Sequence, residues 1–172
     1  MVMSSRETVD PFSRPFARRL CAMIEAELVT FREFIPWADA TIRQLESPPY
    51  WILNLAITRY KPEALKIVRE FGYAEYFEAN ASRIEADEYV ASAYLRYERR
   101  EISWASFLRL SGHMADGCQG GAFSCEFYYE LLNKFEDAHF ALFVEEQQKS
   151  ELVPQLAEII ESVRRTFQEF RE

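Results

Sequence analysis

The chain has 172 residues, enough for one hydrophobic core. Its formal charge of −8 and pI near 5.0 exclude a nucleic-acid surface, which needs a concentrated basic face. Apolar residues make up 49% and aromatic residues 15%, so the core needs neither disulfides nor a structural metal.

Low glycine and few β-branched runs favour helix. The expected fold class is all-α, about eight helices in an irregular, orthogonal array with two long C-terminal members. Residues 1–10 read as a flexible tail and 11–172 as one domain. The opening MVMSSRETVD has no apolar core to serve as a signal peptide, and no run approaches the length of a membrane span. A cytoplasmic protein with no membrane partner is expected.

The first helix starts at Asp10-Pro11 or Ser13 and buries Phe16, Leu20, Met23, Ile24, Leu28 and Phe31 at helical spacing. Thr30 and Glu33 have the form of a capping box. Pro36 and Pro48-Pro49 bracket a helix from Trp37 to Glu46, with Trp37, Ala38, Ile42 and Leu45 inward. Ser47 is the expected cap of PPYWILNLAI, an apolar run read as a buried helix rather than a strand. Lys61-Pro62 opens another helix, closed by Gly72 just past its end.

From Tyr73 to Arg100 the pattern fits one broken helix or two short ones, with Tyr76, Phe77, Val90, Tyr94 and Tyr97 inward. Ser103 caps a helix running to about Asp116, unless Gly112 ends it. Ser124 caps the longest helix, from Cys125 to about Gln148, and the last runs from Pro154 to Phe170.

Four of the five glycines, Gly112, Gly117, Gly120 and Gly121, crowd one short window that also holds His113 and Cys118. Free amides at the turn into the Ser124-capped helix suit an anion, and His113, Asp116, Gly120, Gly121 and Ser124 are the candidate ligand-binding residues. The turn has neither GxGxxG nor Walker spacing, so a plain interhelical loop is the competing reading. His113, Asp116, Cys118 and Cys125 match no compact zinc spacing. Cys125, in a first helical turn, has the position that favours a thiolate, but a nucleophile also needs a base. Glu136-x-x-His139 has the spacing of a carboxylate-bridged di-metal motif and lacks its second copy.

No catalytic residue, metal site or cofactor is assigned. The cysteines, Cys21, Cys118 and Cys125, read as reduced thiols. Arg96, Arg99 and Arg100 read as a solvated helix end. Glu85, Asp87 and Glu88 form one acidic group, and Glu136, Asp137, Glu145, Glu146 and Glu151 a longer one. Glu136, Asp137, Glu145 and Glu146 are the candidate partner-binding residues, beside Phe140 and Phe143. These features imply a non-enzymatic interaction module for a basic protein partner. Size, acidity and helical content resemble those of inhibitor or immunity-type proteins, with no motif behind the likeness. The alternative is a small-ligand or anion-binding protein using the Gly112–Gly121 window.

Overall fold

Ser13 starts the first helix, as its hydroxyl accepts the Phe16 N–H at 3.3 Å and Pro15 fits the first turn. The computed structural model describes residues 10–74, 81–117 and 121–171, with eight helices and no strand among them. These are α1 (Arg14–Glu25), α2 (Phe31–Gln44), α3 (Tyr50–Ala56), α4 (Lys61–Gly72), α5 (Ala81–Glu98), α6 (Trp104–Gly117), α7 (Cys125–Asp137) and α8 (Leu142–Gln168). The all-α class follows. Residues 1–9 of the expected tail, Tyr76, Phe77, Cys118 and Gly120 lie outside the described residues. No described helix is long and apolar enough to cross a membrane.

Local signals placed most helix starts. Thr30 and Glu33 close a reciprocal capping box, with the Thr30 N–H donating to Glu33 Oε2 at 2.7 Å. Ser103 and Ser124 accept the N–H groups of Ser106 and Phe127 at 3.2 and 3.3 Å. Four boundaries differ from those expected. Pro36 lies inside α2, which starts at Phe31, because buried Phe34, Trp37 and Ala38 anchor the helix on both sides of it. Ser47 caps nothing; Pro49 precedes α3 without a side-chain cap. Gly72 is the last residue of α4 rather than the one beyond it. The long C-terminal helices divide at 138–141, not near 150, and α8 runs through Pro154 between buried Leu152 and Leu156.

Gly72 serves packing. Its carbonyl accepts Arg18 Nε at 2.7 Å, and a Cβ there would meet the Arg18 backbone nitrogen at 3.3 Å. That close approach seats α4 on α1. An aromatic stack holds the same end, with Phe16, Trp37 and Phe170 mutually 5.0–5.8 Å apart and Trp51 between Trp37 and Phe71. At the other end Trp104 Nε1 donates to Gln148 Oε1, and Gln148 Nε2 to the Leu131 carbonyl, both at 2.8 Å. This buried polar chain ties α6, α8 and α7 together with each group satisfied.

Candidate functional site

The described part of the glycine window is mostly helix. α6 passes through Gly112, where a Cβ would lie 2.9 Å from the Tyr129 ring, so this glycine lets α7 pack closely and ends nothing. His113 and Asp116 are exposed on α6. Beyond the window's end, Asp87 of α5 accepts the Ala122 N–H at 2.6 Å. Its Oδ1 lies 3.1 Å from where a Cβ of Gly121 would be. Ser124 is occupied in capping α7, and Phe123 stacks on Phe127 at 4.4 Å. An external anion would therefore have to displace a resident carboxylate from the Ala122 amide.

The Cys125 thiol lies 3.8 Å from Asp116 Oδ1. Its pKa is raised, not lowered as the helix-start position led one to expect, through desolvation and then the side chain of Glu126 and the charges of Glu126 and Asp116. Desolvation and two neighbouring carboxylates disfavour the thiolate, which removes the argument for a thiolate nucleophile. Glu136-x-x-His139 is not a helical pair, because α7 ends at Asp137 and His139 has φ 51°. No three His, Cys, Asp or Glu among the described residues are grouped as ligands of a metal ion.

Glu85, Asp87 and Glu88 are not one solvated face. Glu85 accepts Tyr73 Oη at 2.7 Å, and Glu88 is buried against Arg19 Nε at 2.8 Å. Arg19 also donates to Thr166 Oγ1 at 3.0 Å, so this ion pair joins α1, α5 and α8. Arg96 likewise turns inward, donating to the Ala26 carbonyl at 2.9 Å, and Arg99 lies over the Phe167 ring.

The longer acidic run is different. Glu136 and Asp137 are exposed in the last turn of α7, and Glu146 is exposed in the first turns of α8. Between them Phe140, Leu142 and Phe143 are 57, 68 and 72% exposed. The turn is tight. The His139 N–H donates to the Glu136 carbonyl at 2.8 Å and the Phe140 N–H to the Phe135 carbonyl at 2.9 Å. Both His139 and Phe140 adopt left-handed backbone, φ 51° and 58°, which side chains disfavour. Glu145 differs from its acidic neighbours: half-buried, it accepts the Tyr97 hydroxyl. Only part of the expected partner-binding set is therefore exposed, and within it Glu136 faces Arg109 at 3.9 Å and Glu146 pairs with Lys149 at 2.9 Å.

A second feature has no signal in the sequence. A cavity of ≈ 380 Å³ opens among the α1–α2 connection, the start of α4 and the end of α5, lined by Glu27, Val29, Phe31, Phe34, Arg59, Lys61 and Arg96 among others. Phe31, expected in the core, stands 42% exposed at this cavity. No family model matches the chain, and neither a curated protein nor a solved structure does.

Proposed function

We propose that the protein is a non-enzymatic interaction module that binds a basic protein partner through the α7–α8 turn, in the manner of an inhibitor or immunity-type protein. One observation carries this reading: three exposed apolar side chains on a turn built from two strained non-glycine residues, rimmed by Glu136, Asp137 and Glu146. A turn under selection for stability and solubility alone would carry glycine and polar residues. An apolar anchor inside a charged rim is the arrangement that gives a protein interface its affinity and its on-rate separately.

The test starts with capture of partners from the native host at low and high salt, followed by kinetics with the partner obtained. Phe143→Ser is expected to speed dissociation by about tenfold or more, the loss of one anchor residue. Asp137→Lys with Glu146→Lys is expected to slow association and flatten its salt dependence, with the melting temperature nearly unchanged. Glu145 is left intact because its bond to Tyr97 is structural. A partner that ignores both variants, or binds equally at high salt, removes the proposal.

A further inference from the structure

We infer that the cavity beside Phe31 is a binding site for a small carboxylate with an apolar body, a fatty-acid or aryl-carboxylate type of ligand. Its volume of ≈ 380 Å³ suits a compact ligand. Phe31 supplies an exposed apolar face above buried Val29 and Phe34. Arg59, Lys61 and Arg96 supply three cations against the carboxylate of Glu27 and that of Glu101, which lies 3.4 Å from Arg96 Nε. A local excess of positive charge around an apolar hollow is the opposite of what a chain with net charge −8 presents by default.

The cavity already holds a carboxylate of its own. Glu27 Oε1 lies 3.3 Å from Lys61 Nζ and Glu27 Oε2 3.6 Å from Arg96 Nη1. Its backbone is left-handed, φ 61°, and its side chain is 55% exposed, so little packing holds it there. The two cations also have backbone anchors: Lys61 donates to the Glu25 carbonyl and Arg96 to the Ala26 carbonyl, both at 2.9 Å. They stay in position if Glu27 swings outward. Arg59 is exposed and makes no ion pair with any described residue, which leaves a full guanidinium fork for an incoming carboxylate. The ligand's carboxylate takes Arg59 and Lys61, displacing Glu27 from Lys61, and its apolar body lies on Phe31.

Octanoate is the probe, with octan-1-ol as the uncharged control, in calorimetric titration and thermal shift on the whole chain. The expected result is one octanoate per chain at up to millimolar concentration, a raised melting temperature, and no such effect from octan-1-ol. Arg59→Ala, at an exposed position that leaves the fold intact by circular dichroism, weakens octanoate by about tenfold, the loss of a charge-assisted contact. Glu27→Gln strengthens it several-fold by removing the internal competitor. The site is overturned by absence of octanoate binding, by equal binding of octan-1-ol, or by indifference to Arg59→Ala. Weaker binding in Glu27→Gln, or binding abolished by Phe143→Ser on the α7–α8 turn, overturns it as well.

Discussion

Among the described residues, three helices end on a left-handed residue that is not glycine. After α1 the Glu27 N–H donates to the Ile24 carbonyl and the Leu28 N–H to the Met23 carbonyl. After α5, Arg100 and Glu101 donate to Tyr97 and Arg96 in the same pattern, and after α7, His139 and Phe140 donate to Glu136 and Phe135. Each is a Schellman closure with φ of 61°, 62° and 51° at Glu27, Arg100 and His139. Two of these residues flank the features described above: Glu27 lines the cationic cavity, and His139 precedes the exposed aromatic turn. His139→Gly relieves about 1–2 kcal/mol of left-handed strain against roughly 0.5–1 kcal/mol of added chain entropy, so a net gain of about 0.5–1 kcal/mol is expected. Urea unfolding measures it; a lowered midpoint would mean the turn is not strained. The same closures explain why the α7–α8 break was invisible in the sequence. Glycine is the readable mark of a helix end, and here a histidine takes its place.

At the scale of helices, Gly72 and Gly112 stand where elements approach closely. Gly112→Ala places a methyl group 2.9 Å from the Tyr129 ring, which is wedged between α6 and α7. Overpacking costs about 1–3 kcal/mol and exceeds the roughly 1 kcal/mol that alanine adds in helix propensity, so net destabilisation is expected. A variant that melts higher than the parent would show that Tyr129 yields freely. The helix starts were legible because a cap acts within three residues: Ser13, Thr30, Ser103 and Ser124 are all where their motifs put them. Prolines misled because a helix anchored by buried residues on both sides tolerates one on its exposed face, as at Pro36 and Pro154. The candidate sites were legible only in part. Phe140 and Phe143 keep the spacing of a buried stripe, and only the turn of the chain at His139 puts them outside. The cavity joins Glu27 and Arg59, from two separate connections, with Arg96 of α5, and no local pattern links those positions.

Across the described residues, burial raises the pKa of several acids and so favours their protonated forms. Burial raises the Glu88 pKa above its ordinary 4.5, reinforced by the charges of Glu85 and Asp87 and opposed by Arg19. Asp87 is raised from 3.8 by burial, against the Ala122 amide. Burial and Glu85 push the Cys21 thiol up from 9.0 to about 12. Tyr73, hydrogen-bonded to Glu85, and Tyr128 are raised as well, by burial first. A group whose folded pKa is raised contributes stability that is present below its unfolded pKa and lost as the pH climbs through the folded value. Asp87 therefore begins to lose its contribution above pH 3.8, Glu88 above pH 4.5 and Cys21 above pH 9.0. Self-repulsion at net charge −8 acts in the same direction as the pH rises away from a pI of about 5.0. The melting temperature is thus expected to decline as the pH rises from about 5 through neutrality, and to fall more steeply past about 9. Glu88→Gln should flatten the first decline, because a neutral amide keeps the Arg19 contact without a charge to desolvate. It should leave the alkaline fall untouched, since Cys21 and the tyrosines remain. Thermal melts of both proteins across that range decide it: a midpoint that rises from about pH 5.5 to 8 would show that Arg19 outweighs the burial of Glu88.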